Sequence, residues 1–295
     1  MSLLVTGASG FVGRHLVAHL RASGDVPVIE DATDVLELKQ LEEAFNEHKP
    51  DVIYHLAAQS DVAASWNDPK GTMRVNVDGT INVLAAATSC GAKRMLIISS
   101  ADVYGTLASS DLPVNESAPM HPVNPYGESK AEAERAAAAG GGLEVVCARA
   151  FNHIGPGQSE RFVASALAKQ IAQNELSGET QVRVGNLEAK RDFADVRDVV
   201  CAYRLIVEHG ESGAVYNVCT GISRSVRDVA DTLLGLARHE MELVVDDQLR
   251  RPVDVSEVRG DPSLIHEVTG WTPEIPFETT LADVLEDWRM RVANA

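Results

Sequence analysis

Short apolar runs alternate with amphipathic segments along the first half of the chain, at the spacing of βαβ units. The apolar runs predict strands over residues 2–6, 26–29, 51–56, 94–99 and 143–148. The segments between them predict helices over residues 11–21, 34–49, 68–90 and 126–139. This alternation predicts an α/β fold with an open, doubly wound parallel sheet, whose ligand crevice lies at the carboxyl ends of the strands.

The rhythm changes after Asn152, where proline-marked loops separate shorter elements. The later pattern predicts helices over 162–174, 195–209, 224–238 and 281–292, and strands over 181–185, 214–219 and 242–246. We therefore expect a nucleotide-binding domain over residues 1–153, to which residues 193–219 return. Residues 154–192 and 220–295 are expected to form a smaller α/β substrate lobe.

A glycine string follows the first strand immediately and opens the first predicted helix. Its spacing is GxxGxxG, formed by Gly7, Gly10 and Gly13. Gly7 permits a tight turn, Gly10 lets the backbone approach a pyrophosphate, and Gly13 allows close packing of the helix on the strand. Phosphates would rest at the helix N-terminus, where free N–H groups and the helix dipole favour an anion. The motif predicts a Rossmann-like dinucleotide site.

A tyrosine and a lysine lie four residues apart, and a serine ends the strand upstream of them. If a helix begins after Pro125, Tyr126 and Lys130 share one of its faces. A cation close to a phenol favours the phenolate, so we expect Lys130 to lower the pKa of Tyr126. Ser100 could then hold a carbonyl or carbinol oxygen in line for transfer. YxxxK alone also fits a surface helix; the glycine string favours the catalytic interpretation.

Composition narrows the classes of partner. The chain has 295 residues, 45% of them hydrophobic and 23% charged, which is ordinary for a globular protein with a sizeable core. A formal charge of −17 argues against nucleic acid or an anionic membrane surface as the main partner. Four scattered cysteines without a CxxC pair indicate reduced thiols and no metal site. No run reaches transmembrane length, and the first strand leaves no room for a signal peptide, so a cytoplasmic location is expected.

These motifs together resemble the extended short-chain dehydrogenase/reductase family, which pairs a dinucleotide-binding fold with a lobe for nucleotide sugars. The resemblance covers nearly the whole chain and includes Gly7–Gly13, His55–Ala58, Asn76–Thr80, Ser99–Gly105 and the Tyr126/Lys130 pair. Two segments, Arg149–Pro156 and Gly185–Asp192, resemble the branch that acts on GDP-linked 6-deoxyhexoses. Arg251–Asp254, Gly260–Pro262 and Gly270–Pro273 extend the similarity towards the end of the chain.

The resemblance implies roles for individual residues. Catalysis would fall to Ser100, Tyr126 and Lys130. Cofactor binding would fall to Gly7, Gly10, Phe11, Val12, Gly13, Asp31, Asp34, Leu56, Ala57, Ala58, Tyr126, Lys130 and Asn152. Substrate binding would fall to Ser100, Asp102, Asn152, Lys169, Arg191 and Arg251, with Arg191 and Arg251 on the pyrophosphate.

The implied reaction is NAD(P)H-dependent reduction of GDP-4-keto-6-deoxy-D-mannose to GDP-D-rhamnose. Dehydration of GDP-mannose ranks second and 4-epimerisation third. A dehydratase needs a further acid/base group, and Asp102 stands where dehydratases carry a glutamate. A non-catalytic NAD(P)-binding sensor or scaffold is the remote alternative, because such proteins commonly lose the tyrosine or the lysine.

Two further expectations concern the cofactor and the assembly. The acidic residues Glu30, Asp31 and Asp34 follow the glycine string at the distance of a ribose-reading acid, and no Arg or Lys lies between Arg21 and Lys39. NAD(H) is therefore favoured, with NADP(H) possible. Alanine-rich helices around 78–90 and 126–139 resemble the pair that forms a four-helix dimer interface in related enzymes, so a homodimer is expected.

Overall fold

The computed structural model describes residues 1–25, 27–139, 142–249 and 255–294. Its strands are β1 (Leu3–Thr6), β2 (Val28–Asp31), β3 (Val52–His55), β4 (Arg94–Ser100), β5 (Glu144–Ala150), β6 (Asn152–Ile154), β7 (Gln181–Val184), β8 (Lys190–Asp195), β9 (Val215–Val218), β10 (Ser223–Ser225), β11 (Glu242–Val245) and β12 (Glu257–Val258). Its α-helices are α1 (Phe11–Ala22), α2 (Leu38–His48), α3 (Val62–Asn67), α4 (Pro69–Met73), α5 (Gly79–Cys90), α6 (Pro125–Ala138), α7 (Val163–Ser177), α8 (Val196–His209), α9 (Val226–Gly235), α10 (Ser263–Thr269) and α11 (Phe277–Ala293).

Six parallel strands form the central sheet in the order β2-β1-β3-β4-β5-β9. All four residues of β1 and of β3 are buried, because helices cover both faces of the sheet. One face packs on α1, α8 and α10, and the other on α2 and α5. The strand order reverses between β1 and β3, which is where a doubly wound sheet opens its ligand crevice. The predicted α/β, Rossmann-like fold is confirmed.

A second hydrophobic core lies among helices α7, α9 and α11 and the strands that neighbour them. Here β8 pairs with β6, β10 and β12, and β7 pairs with β11. Of these strands the sequence pattern predicted only β7 and β11. Three of the other four have only two or three residues, and β8, with six, is mostly polar, so none carries an apolar run that a pattern could detect. The domain division drawn from sequence stays a proposal.

The helix predicted over residues 68–90 is present, because residues 69–90 are helical without interruption, but it is not α-helical throughout. The chain forms α4, then a π-helical turn over Arg74–Asp78, then α5. Inside the turn, the Asn76 side chain donates to the Gln59 carbonyl at 3.0 Å and to Ser129 Oγ at 2.8 Å. The wider π-turn lets the Asn76 side chain reach these partners outside its own helix. Such turns inside α-helices are frequent at functional sites.

Other boundaries moved by a few residues. Helix α2 begins at Leu38 rather than 34, because the Asp34 side chain instead accepts from the Leu36 N–H in a local turn. None of the helices in the described ranges has both the length and the apolar composition that a membrane span requires.

Candidate active site

A cavity of about 480 Å³ opens at the carboxyl ends of the central strands. Thirteen of the residues proposed from sequence line it: Gly7, Gly10, Phe11, Val12, Gly13, Leu56, Ala57, Ala58, Ser100, Asp102, Tyr126, Lys130 and Asn152. They come from segments far apart in sequence, and the parallel sheet collects them because each follows the end of a strand or begins the next helix.

The glycine string builds the floor of the cavity. Gly7 adopts φ +70°, and a Cβ there would lie 2.7 Å from the Ala57 nitrogen. The Gly10 N–H donates to the Gly7 carbonyl at 3.0 Å, which closes the turn. A Cβ on Gly13 would collide with that same carbonyl, so only glycine lets α1 start this close to β1. The turn leaves the N-terminus of α1 facing the cavity, as a dinucleotide pyrophosphate requires.

Ser100 ends β4 and caps the 3-10 turn over Ala101–Tyr104. Its Oγ accepts from the Asp102 N–H at 3.1 Å and donates to Asp102 Oδ2 at 3.1 Å. The second carboxylate oxygen of Asp102, Oδ1, accepts from Asn124 Nδ2 at 2.8 Å. Both oxygens of Asp102 are therefore engaged, and the carboxylate orients the serine hydroxyl.

The N-terminus of α6 places the tyrosine and the lysine. Asn124 caps the helix by accepting from the Gly127 N–H at 2.7 Å, and Pro125 takes the first helical position. A Cβ on Gly127 would lie 2.6 Å from the Asp102 carbonyl oxygen. Glycine at 127 therefore lets α6 approach the serine-bearing turn, and this brings Tyr126 to Ser100.

Lys130 lies one turn further along α6, with 7% of its surface exposed. Its Nζ donates to the Ile98 carbonyl at 2.8 Å and stands 5.9 Å from the centre of the Tyr126 ring. Burial lowers the pKa of Lys130 to about 8. The ammonium is therefore charged at neutral pH, and it lies near the carboxyl end of β4 beside the tyrosine.

The expected direction of the Tyr126 pKa is wrong for the free protein. Burial raises this pKa well above its ordinary value, the Asp102 charge adds to the rise, and a hydrogen bond with Ser100 opposes it. Spacing alone suggested that the nearby cation would dominate, but desolvation of the phenolate is the larger effect. Tyr126 is held as a protonated phenol.

Two proposed cofactor residues lie outside the cavity lining. Asp31 ends β2 beside Thr6, is buried, and accepts from Thr33 Oγ1 at 2.8 Å through Oδ1. Its other oxygen, Oδ2, is buried and has no hydrogen-bond partner among the described residues. Asp34 is exposed, and its side chain accepts from the Leu36 N–H within its own turn, so it does not point into the cavity lining.

Two of the three proposed substrate cations, Lys169 and Arg191, do not line the cavity. Lys169 pairs with Glu160 at 3.2 Å and lies over the Trp288 ring. Arg191 donates to the carbonyls of Lys190 at 2.8 Å and Val255 at 2.7 Å. Arg251 lies outside the described residues. Whether these residues grip a pyrophosphate stays a prediction.

Sequence reasoning missed several residues that line the cavity: Ser60, Val62, His153, Gln158 and Phe162. Ser60 and Val62 follow the Ala57–Ala58 segment, so their position beyond a strand end could have suggested them. Gln158 and Phe162 lie in a loop before α7, where no periodic pattern marks a direction.

Two polar residues of the family motifs, His55 and Asn76, hold neighbouring segments together by hydrogen bonds. His55 is buried between Thr6 Oγ1 at 2.9 Å and Thr80 Oγ1 at 3.1 Å, and burial lowers its pKa to about 3. Asn76 accepts from the Gln59 N–H at 2.8 Å, in addition to its two donated hydrogen bonds. His55 thus joins the carboxyl ends of β1 and β3 to α5, and Asn76 joins the segment after β3 to α6.

The chain is similar to known proteins over most of its length. A family model described as GDP-mannose 4,6 dehydratase matches residues 28–284. A GDP-6-deoxy-D-mannose reductase from Pseudomonas aeruginosa is 42% identical over 299 residues, covering 98% of each chain. The structure of RMD from Pseudomonas aeruginosa complexed with NADPH is similar at a TM-score of 0.91 and 41% identity, covering 98% of this chain and 99% of that chain. A UDP-glucose 4-epimerase from Thermus thermophilus in complex with NAD has a TM-score of 0.88 and 28% identity, with the same coverage.

Proposed function

Because the chain belongs to the GDP-mannose 4,6-dehydratase family of the extended short-chain dehydrogenases/reductases, we propose that it reduces GDP-4-keto-6-deoxy-D-mannose to GDP-D-rhamnose with NAD(P)H. The relative that covers 98% of the chain at 42% identity is named as a reductase of this type. The complete Ser100, Tyr126 and Lys130 set supports an enzyme over a non-catalytic sensor.

The cavity residues fit a nicotinamide dinucleotide. The glycine turn can accept the pyrophosphate, and Leu56, Ala57 and Ala58 offer an apolar wall beside it. The cofactor, when bound, supplies the hydride that becomes attached to carbon 4 of the sugar. Tyr126 gives its hydroxyl proton to the oxygen on that carbon, Lys130 stabilises the phenolate left behind, and Ser100 holds the oxygen.

The state of Asp102 is the observation that favours reduction over dehydration. A dehydratase must also remove a proton and expel a hydroxyl, which needs an available acid/base group. Here Ser100 and Asn124 occupy both oxygens of Asp102, and the side chain is one methylene shorter than glutamate. A carboxylate held in this way orients the serine and is poorly placed to reach a second carbon of the sugar.

The assay that separates these activities offers two substrates. With GDP-4-keto-6-deoxy-D-mannose, we expect one equivalent of reduced cofactor to be consumed for each sugar reduced. With GDP-mannose, we expect no keto sugar to form. Conversion of GDP-mannose to the keto sugar without net cofactor consumption would replace this proposal with the dehydratase function.

The unpartnered Asp31 oxygen supports use of NADH at least as well as NADPH. A buried carboxylate oxygen without a hydrogen bond costs about 1–3 kcal/mol, which a ribose hydroxyl at the end of β2 would offset. A 2′-phosphate would instead meet a negative charge. Glu30 is less suited to this role, because it pairs with Arg21 at 2.7 Å. The solved relatives bind either cofactor, NADPH in one and NAD in the other.

A homodimer through α5 and α6 remains part of the proposal, although the alanine content of these helices supports it less than the sequence suggested. Most of those alanines face the protomer's own core, including Ala86, Ala131 and Ala137. The better support is the face of α5 on which Ile81, 46% exposed, and Ala85, one turn further along, both face outward.

A further inference from the structure

Behind the catalytic lysine, α6 carries a buried carboxylate. Glu134 lies one turn beyond Lys130, and only 8% of its side chain is exposed. Arg149 on β5 donates to it from Nε at 3.0 Å and from Nη2 at 2.8 Å. The guanidinium side chain is 6% exposed, so this is a fully desolvated, two-point ion pair.

The pair also holds the strand that bears the catalytic serine. Glu134 accepts a hydrogen bond from Ser99 Oγ, and Ser99 directly precedes Ser100. Arg149 reaches the other end of the same segment, since its Nη1 lies 3.0 Å from the Tyr104 hydroxyl oxygen. Tyr104 closes the 3-10 turn that begins after Ser100. The ion pair therefore spans both sides of the serine-bearing turn.

A buried ion pair is weak evidence for a stabilising role, because desolvation of both ions offsets their attraction. Apolar residues of similar volume would often serve as well between a helix and a sheet. The position of this pair, beneath the catalytic residues, therefore needs another reason.

The groups around Lys130 indicate why the ion pair lies beneath the catalytic residues. The titratable groups that face it are Tyr126 and Glu134 on α6, Cys147 on β5 and His55 on β3. Burial keeps Tyr126 and His55 neutral. Cys147 and Glu134 both oppose the effect of burial on the Lys130 pKa. However, burial raises the pKa of the Cys147 thiol well above its ordinary value, so the thiol is uncharged where Lys130 titrates. Among these groups, Glu134 is then the one whose negative charge favours the ammonium form of Lys130.

We propose that Glu134, clamped by Arg149, is a positioning residue that keeps Lys130 charged and fixes Ser100 in line with Tyr126. The inference rests on the proposed reductase function for its catalytic meaning, but the charge balance belongs to the free protein. It can therefore be tested without any substrate.

The first test measures the titration of Lys130 in the cofactor-free protein, by competitive labelling with acetic anhydride at graded pH and mass spectrometry of its peptide. Glu134→Gln is expected to lower the apparent pKa of Lys130 by at least half a pH unit, because the charged form loses its counter-ion. Glu134→Asp keeps the charge and should leave the Lys130 titration near the wild-type position. If Glu134→Gln does not fold with Arg149 unpaired, Glu134→Gln/Arg149→Met removes both charges. It should displace the Lys130 titration in the same direction by a smaller amount, because loss of the Arg149 cation partly offsets loss of the Glu134 anion.

The second test reads turnover. The alkaline limb is the fall of kcat/KM at high pH. In Glu134→Gln this limb is expected to move to lower pH, by about the same shift as the Lys130 pKa measured by labelling. Ser99→Ala removes only the hydrogen bond, and should reduce kcat on the order of tenfold without moving that limb or the KM for the nucleotide sugar.

Glu175→Gln is the matched control. The Glu175 side chain on α7 is 2% exposed and accepts two hydrogen bonds from Arg289 on α11, at 2.8 and 2.6 Å, beside the second hydrophobic core. Its loss should lower stability and leave the Lys130 titration and the alkaline limb unchanged. An unmoved Lys130 titration in the charge-removing variants, or an equal displacement in Glu175→Gln, would overturn the inference. A displaced Lys130 titration in a protein that does not reduce the keto sugar would instead contradict the proposed substrate alone.

Discussion

Burial acts on Tyr126 and Lys130 in the same sense, by disfavouring the charged form of each. It holds Tyr126 as a protonated phenol and lowers the Lys130 pKa to about 8. In the reducing direction the tyrosine must deliver a proton, so a phenol that is protonated at every physiological pH is in the required state. Lys130 is charged below its pKa, so the ammonium that stabilises the phenolate is present at neutral pH and is lost as the pH rises through about 8.

Removing the Tyr126 hydroxyl tests this role directly. Tyr126→Phe should lower turnover by on the order of a hundredfold or more, because it deletes the proton donor. Cofactor affinity, measured by the fluorescence of bound reduced nicotinamide, should stay nearly intact. Tyr216→Phe removes another buried hydroxyl, one that accepts from the Glu211 N–H at 2.9 Å away from the cavity, and should leave kcat unchanged. Wild-type turnover in Tyr126→Phe would remove this residue from the mechanism.

The proposed contact of Asp31 with the cofactor ribose predicts the cofactor preference. Parallel titrations should give a kcat/KM for NADH at least equal to that for NADPH, because a free ribose hydroxyl would donate to the Asp31 carboxylate, which would repel a 2′-phosphate. Asp31→Ser should shift the ratio towards NADPH. A strong NADPH preference in the unaltered protein would show that Asp31 does not face the ribose.

At the scale of elements, the junction of β1 and α1 depends on a missing side chain. Gly13→Ala would push a methyl into the Gly7 carbonyl, so we expect a loss of about 1–3 kcal/mol in unfolding free energy. Dinucleotide affinity should fall with it, because the turn that faces the pyrophosphate must move. Thermal unfolding with and without cofactor measures both effects. Gly235→Ala is the control, since a Cβ there meets nothing within 4 Å, and it should be neutral or slightly stabilising.

Elements with a strong period or a fixed motif were predictable, and those set by long-range contacts were not. The buried strands β1, β3 and β4 and the glycine turn follow from local sequence, because apolar runs and glycine spacing report directly on backbone and burial. The π-turn at Asn76 follows from partners 17 and 53 residues away, which no window of sequence contains. Similarly, YxxxK located Tyr126 and Lys130, but the Tyr126 pKa depends on burial that only the assembled sheet supplies.

In the whole molecule, Asp195 links the helices that pack on the central sheet to the second hydrophobic core. Its carboxylate accepts from Thr280 Oγ1 at 2.7 Å and from Arg197, which also binds Asp283 on α11. This contact links the start of α8, which packs on the sheet, to the last helix of the chain.

Assembly is the second property at this scale. If α5 and α6 pair across a two-fold axis, Ile81→Glu should convert a dimer to a monomer, because it buries a charge where an apolar side chain was covered. Light scattering at micromolar concentration measures the mass. Exposed Leu176 on α7 gives the control, Leu176→Glu, which should leave the mass unchanged. A monomer mass for the unaltered protein would reject the dimer.

In the proposed reaction, hydride passes from the cofactor to carbon 4 of a GDP-linked keto sugar. The most direct measurement supplies cofactor deuterated at the transferable nicotinamide position, together with GDP-4-keto-6-deoxy-D-mannose, and locates the deuterium in the product by NMR. We expect one deuterium on carbon 4 for each turnover, in a product with the configuration of GDP-D-rhamnose. Unlabelled product, or deuterium on any other carbon, would contradict it.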